Sequence, residues 1–176
     1  MAGYRAFIAE DSENYSYILT YYHNPNRWRD NVIDIDNPIR NVDNWSGEMK
    51  YLNQSNDDLS DEIKKLPTNT GGIYIFYIKG LNLPFIENYI LYVGRCQFTA
   101  TQHIRKRARE YYNDKRDLIM EMFKRWKEHL YYRYYPDTEN ERIKLNEIQL
   151  IRAILPQYNE VIPDRIDIRK SIPAFR

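Results

Sequence analysis

Two apolar runs near the middle of the chain, Ile73 to Ile78 and Tyr89 to Val93, are rich in β-branched and aromatic residues and have the length of strands. Gly71-Gly72 opens the first and Lys79-Gly80 closes it. The ten-residue connection between them suits an antiparallel pair joined by an enlarged loop. The period then changes from two to 3.6. Thr101 to Tyr112 carries Ile104, Ala108 and Tyr111 on one face and predicts a helix. A second helix is predicted from Lys115 to Leu130, where Ile119, Met122, Phe123, Trp126 and Leu130 follow amphipathic spacing. Tyr131 to Tyr135 reads as a third strand stopped by Pro136, and Thr138 to Leu155 as a final helix stopped by Pro156. Thr138-Glu139-Asn140-Glu141 has the pattern of a capping box for that helix. This order predicts an α+β domain: a small antiparallel sheet of about three strands flanked by helices.

The first 70 residues read differently. They are rich in Asn and Asp, with loop signals at Asn24-Pro25-Asn26, Asn37-Pro38 and Asn53-Gln54-Ser55-Asn56. Short apolar pieces at Tyr15 to Tyr22 and Met49 to Leu52 suggest a helix or two. The division expected is an N-terminal extension over 1–65 packed on a core of 66–160, followed by a surface tail over 161–176.

Composition narrows the class. A chain of 176 residues with 43% hydrophobic content fits one packed domain. No run of about 18 apolar residues occurs, so no membrane partner is expected. The N-terminus has acidic residues where a signal peptide needs a basic start, which makes a cytoplasmic location the expectation. Cys96 is the single cysteine, which excludes an internal disulfide and a multi-cysteine zinc site; it reads as a small buried residue. His23, His103 and His129 lack metal-ligand spacing.

The net charge of +1 conceals polarity: residues 1–70 carry 7 basic and 12 acidic side chains, and residues 95–133 carry 11 basic and 5 acidic. Such a chain can present one basic face to phosphate while staying neutral overall. Arg95, Arg105, Lys106, Arg107 and Arg109 form the cluster, with His103 close to it. On a helical wheel, Arg105 and Arg107 flank the apolar face at similar angles, so periodicity does not choose between them. A cation aimed at a scissile phosphate is what phosphoryl transfer gains most from. Glu147 is the most informative acid. With Ile143 at 0°, the apolar positions of its helix span roughly −20° to 140°, and Glu147 falls near 40°, inside that arc. A carboxylate there needs compensation, from an Arg or Lys or from a metal ion. Tyr74 and Tyr92 lie on the two adjacent strands beside Gly72 and Gly94; each is either a structural strand tyrosine or a phenol able to move a proton. Asn159 follows Pro156 as a turn residue or a site residue.

Taken together, Leu66-Pro67 with Gly72-Ile73-Tyr74, Tyr92-Val93-Gly94-Arg95, Lys106-Arg107-Ala108-Arg109-Glu110-Tyr111-Tyr112, Glu147 and Pro156-Gln157-Tyr158-Asn159 resemble the ordered motifs of the GIY-YIG nucleases. The resemblance covers about residues 66–160. The connection between the tyrosine motifs and the step from Gly94 to the arginine are longer than usual in the family. The insertion Cys96 to Gln102 resembles the expanded loop of the type II restriction branch.

The resemblance implies hydrolysis of DNA phosphodiesters dependent on Mg²⁺ or Mn²⁺. Glu147 would hold the metal, and Tyr74 or Tyr92 would position or deprotonate the attacking water, with Tyr74 preferred. The family pattern selects Arg107 over Arg105 to stabilise the phosphate charge. Tyr111 would assist near the nucleophile or leaving group, and Asn159 would order the site. Arg95, Arg105, Lys106, Arg109 and His103 are the expected nucleic-acid contacts, with residues 1–65 as a further DNA-contacting element. With no familiar DNA-binding appendage in the sequence, the expectation is a stand-alone, site-specific enzyme acting on double-stranded DNA, with symmetric cutting favouring a homodimer. The alternatives are a structure-selective or RNA-directed nuclease and a nucleic-acid-binding module that does not cut.

Overall fold

The structure, a computed structural model, describes residues 36–83 and 86–161. Its centre is β2, Gly71–Leu83, which pairs antiparallel with β3, Ile86–Cys96, on one side and with β4, Leu130–Asp137, on the other. These are the three expected strands, each longer than its apolar run; β4 does not stop at Pro136 as expected but runs through it, pairing Pro136 and Asp137 with Gly72 and Gly71. A fourth strand, β1, Met49–Lys50, pairs with the far edge of β4, giving the order β1-β4-β2-β3. The helix suggested for Met49 to Leu52 is therefore corrected: this stretch joins the sheet, and Leu52 bridges to Leu59. A two-residue strand is too short for any period to register.

Alternation along β2 sorts its side chains between two layers. Ile73 and Ile75 face one side, and Tyr74 and Phe76 face the other. A bulge opposite Phe76 and Tyr77 puts consecutive β3 residues Leu91 and Tyr92 into the same core. That core lies under α1 (Asp61–Lys64), α2 (Ile104–Glu110) and α3 (Asp117–Trp126) and contains Ile63, Ile104, Ala108, Ile119 and Met122. Single 3₁₀ turns, Tyr111–Asn113 and Lys127–His129, extend α2 and α3 close to the lengths the sequence predicts.

The opposite face is covered by α4, Asn140–Ile154, whose Ile143, Leu150 and Ile151 pack on Ile73 and Val93. Its N-terminus differs from the capping box. The N-cap is Glu139, without a side-chain cap bond. Asp137 takes over: it accepts from the Glu139 N–H at 2.9 Å and from Arg142 Nε and Nη2 at 2.6 and 2.5 Å. At the other end Leu155 adopts the left-handed conformation, φ 52°, immediately before Pro156, and the helix stops.

Residues before the expected core boundary contribute to both layers. Tyr51, Leu52, Leu59 and Ile63 belong to the core on the α1–α3 side, and Ile39 seats in the core under α4. Asn37 Nδ2 donates to Asn146 Oδ1 of α4 at 3.0 Å. The suggested helix at Tyr15 to Tyr22 and the 162–176 part of the tail lie outside the described residues. Among the described residues, no helix is long and apolar enough to cross a membrane.

Candidate active site

Two glycines shape the site before any reactive group is considered. Gly72 has φ +132°, and a Cβ there would lie 1.9 Å from the Tyr135 carbonyl oxygen on β4. Gly94 sits opposite Tyr74 in the β2–β3 register, and a Cβ there would lie 2.5 Å from the Tyr74 Cζ and hydroxyl. The bare backbone of β3 is what lets the Tyr74 ring lie across the neighbouring strand.

Tyr74, Tyr92 and Tyr111 bring their hydroxyls together. Tyr111 Oη lies 2.6 Å from Tyr74 Oη and donates to Tyr92 Oη at 3.0 Å. Tyr74 and Tyr111 are 0% and 1% exposed, and Tyr92 is 8% exposed. Arg107, one helical turn before Tyr111, closes the group. Its Nε donates to Tyr74 Oη at 3.1 Å and its Nη2 to Tyr111 Oη at 3.2 Å, and its guanidinium carbon is 5.0 Å from the Tyr111 ring centre. Burial holds the Tyr74 phenol well above its ordinary pKa, with Tyr111 and Tyr92 adding to the rise and Arg107 opposing it. Tyr92 is pushed up for the same leading reason, with Arg116 opposing. Both are therefore protonated phenols at neutral pH. The fall in pKa that a nearby arginine could bring is outweighed by desolvation. Burial opposes the charge on Arg107, but Tyr74, Tyr111 and Glu110 outweigh it and hold the guanidinium protonated.

The helical wheel left Arg105 and Arg107 equivalent; the fold separates them. Arg105 Nε donates to the Leu66 carbonyl oxygen, away from the phenols. Arg109 and Lys106 are exposed, and Lys106 Nζ donates to the Thr101 carbonyl at 2.9 Å. His103 is the N-cap of α2, its Nδ1 accepting from the Lys106 N–H at 3.3 Å. His103, Arg105, Lys106 and Arg109 line a shallow depression of about 440 Å³ together with Glu110. This basic surface is adjacent to the phenol group through Arg107 and Glu110.

Glu147 comes from the other layer. It projects from α4 to the end of β3, where its Oε2 lies 2.8 Å from Arg95 Nη1. The carboxylate is 17% exposed. Burial raises its pKa above the ordinary carboxylate range, and Arg95 and Arg107 pull against that rise. Both of the alternatives for a carboxylate on an apolar arc are thus still open to it: it has an arginine partner and it faces space. Tyr74, Tyr92, Arg95, Cys96, Gln97, Gln102, Arg107 and Glu147 line one cleft of about 310 Å³. Asn159 stands behind it. Its amide accepts from the Val93 N–H at 2.9 Å and donates to the Val93 carbonyl at 2.7 Å, pinning the chain beyond α4 to β3.

Two solved structures are similar to this chain. Both are point mutants of the GIY-YIG N-terminal endonuclease domain of UvrC from Thermotoga maritima, each bound to its catalytic divalent cation. Identity is 19% in both, over 56% of this chain and 90% of theirs, with TM-scores of 0.38 and 0.37. No protein-family model and no curated protein matches the chain.

Four polar side chains at or beside the cleft were not singled out from the sequence. Glu110 Oε2 accepts from Arg107 Nη1 at 3.0 Å, and Gln102 Nε2 reaches Glu110 at 3.3 and 3.4 Å. Gln97 lines the cleft, and Arg116 flanks Tyr111. The i,i+3 spacing of Arg107 and Glu110 could have found that pair. Nothing in the sequence pattern points to Gln97, Gln102 or Arg116. Cys96 is buried as expected, and burial pushes its thiol up to about 11, which makes it a poor nucleophile.

Proposed function

We propose that the protein is a divalent-metal-dependent endonuclease that hydrolyses phosphodiester bonds in DNA. The observation that carries this reading is the composition of a single cleft. Two phenols, linked to each other through the buried Tyr111, and an arginine form one wall, and a carboxylate from a different layer forms the other. A structural tyrosine cluster has no need of a guanidinium at its hydroxyls and a carboxylate facing it across open space.

The donors suit a hard cation. Among the described residues no group of three or more His, Cys, Asp or Glu could hold a metal. The cleft offers one carboxylate, phenol oxygens and the amides of Gln97 and Gln102. That set fits Mg²⁺ or Mn²⁺ held by Glu147 alone among the acids, the remaining positions going to water and phosphate oxygens. When bound, such an ion polarises the phosphoryl oxygen and lowers the pKa of a bound water. Arg95 would yield part of its hold on Glu147 to the ion and turn to the nucleic-acid backbone.

The protein's own groups then divide the work. Arg107 places a fixed positive charge where the phosphate gains negative charge. Tyr74, held as a neutral phenol, orients the attacking water. As a proton from the water reaches Tyr74 Oη, Tyr74 would hand its own hydroxyl proton to Tyr111, Tyr111 its own to Tyr92, and Tyr92 its own to solvent, so that each phenol stays neutral. Tyr92, the most exposed of the three, is the exit of that row. Glu110 fixes the rotamer of Arg107, and Asn159 holds β3 in register with the cleft. Arg95, Arg105, Lys106, Arg109 and His103 supply backbone contacts to the DNA. We further infer a site-specific enzyme acting on duplex DNA as a homodimer, residues 1–65 adding DNA contacts to the 66–160 core, in a cytoplasmic setting.

Plasmid digestion with Mg²⁺ or Mn²⁺ tests the reading. Discrete bands that vanish in Glu147→Ala, with DNA binding retained, are the expected result. Cutting only of branched DNA or of RNA would replace the site-specific reading. Binding without any cutting would make the protein a recognition module.

A further inference from the structure

Arg116 has no part in the proposed mechanism and does not line the cleft, yet it lies against the Tyr111 ring. It lies just after the 3₁₀ turn Tyr111–Asn113 and is the N-cap residue of α3. Its guanidinium carbon is 5.5 Å from the Tyr111 ring centre, against 5.0 Å for Arg107, so two guanidinium groups share one aromatic ring. Its positive charge bears on both Tyr92 and Tyr111, while its own hydrogen bonds go to Asp114. Asp114 sets its orientation: Nε lies 3.1 Å from both carboxylate oxygens and Nη2 lies 2.7 Å from Oδ2. The Asp114 side chain is 15% exposed, whereas that of Arg116 is 48% exposed. A rigidly held arginine with half its surface in solvent, next to the most exposed phenol of the row, has the form of an anion contact.

We propose that Arg116 forms a second phosphate-binding subsite, taking a phosphodiester of the nucleic-acid strand next to the one that Arg107 faces. This rests on the nuclease reading above. The substrate is a polyanion with regularly spaced phosphates, so one arginine at each end of the hydroxyl row holds the strand along the row. Arg107 acts on the reacting group, and Arg116 holds the neighbouring phosphate. Asp114 reduces the net charge of the subsite but fixes the guanidinium plane, which favours bidentate recognition of a phosphate.

The test is binding of end-labelled duplex DNA to the full chain without divalent metal, from 50 to 200 mM salt, alongside plasmid cutting with Mg²⁺. Arg116→Ala should bind about tenfold more weakly at low salt. Its plot of log K against log salt should be shallower by about one unit, with its melting temperature unchanged. Arg116→Lys keeps the charge and should keep the wild-type slope while losing severalfold in affinity. Unchanged affinity and slope in Arg116→Ala, with a wild type that binds and cuts, overturns this subsite and leaves the nuclease reading intact. A lysine variant whose slope falls as far as that of the alanine variant shows a loss unrelated to charge and also overturns the subsite. A wild type that neither binds nor cuts nucleic acid overturns both.

Discussion

The two walls of the cleft are built on different principles. In the wall of Tyr74, Tyr92, Tyr111 and Arg107 the three phenols are almost sealed from water, Arg107 is partly exposed, and every hydroxyl is bonded to another group in the wall. The opposite wall is one ion pair, Glu147 with Arg95, at the rim of α4 and β3. The first is fixed before substrate arrives, with no rearrangement needed at the moment of reaction. The second would share its carboxylate between Arg95 and a cation, because Arg95 already holds one of the two Glu147 oxygens. The same cleft thus pairs a preorganised electrostatic surface with an exchangeable one.

The largest effect should come from the exchangeable wall. Glu147→Ala should reduce metal-dependent cutting below detection while binding to DNA survives, as read by digestion and gel shift. Next is Arg107→Ala, for which a loss of about 10²–10³ in the cutting rate is expected from removing one fixed donor to developing charge. Arg105→Ala should change the rate by less than about threefold, since its guanidinium is bound to the Leu66 carbonyl rather than to a phenol. Comparable losses in the two arginine variants would erase the distinction drawn between them. Tyr111→Phe removes the bridging hydroxyl but keeps the ring under both arginines. A loss of about 10–100-fold, with little change in melting temperature, would support a proton path through the row.

The smallest effect lies off the walls, at Asp137. Burial opposes its charge, yet Arg142 and the backbone N–H of Glu139 overcome that and lower its pKa. A depressed carboxylate contributes stability above its unfolded pKa, about 3.9, and that stability is lost as pH falls through the folded value. Asp137→Asn should therefore cost about 1–3 kcal/mol at neutral pH, and the difference from wild type should shrink in acid, as measured by denaturant melts at several pH values.

How much of this was legible beforehand depended on whether a feature is periodic. The strands around Tyr74 and Tyr92 and the helices ending at Glu110 and Trp126 announced themselves by periods of two and 3.6 residues. Strand β1 did not, because Met49 and Lys50 are held by pairing with Tyr132 and Tyr131 about eighty residues away. The capping box failed for a similar reason: Asp137, fixed by the end of β4, reaches the helix start first. Periodicity could also place Glu147 on an apolar face, but it could not say that Arg95 would be its partner. The separation of Arg105 from Arg107 depends on a carbonyl at Leu66, distant in the chain, and that of Arg116 on a single 3₁₀ turn.

Strand β3 is the outer strand of the sheet, and Asn159 bonds to both the N–H and the carbonyl of Val93, while the Tyr158 N–H bonds to the Leu91 carbonyl. Those are the main-chain groups a strand from another molecule would need in order to dock there. Two residues beyond α4 therefore work as a stopper that ends the sheet beside the cleft. A second copy cannot extend the sheet across that stretch of β3, so strand pairing there does not compete with the cleft between Tyr92 and Glu147.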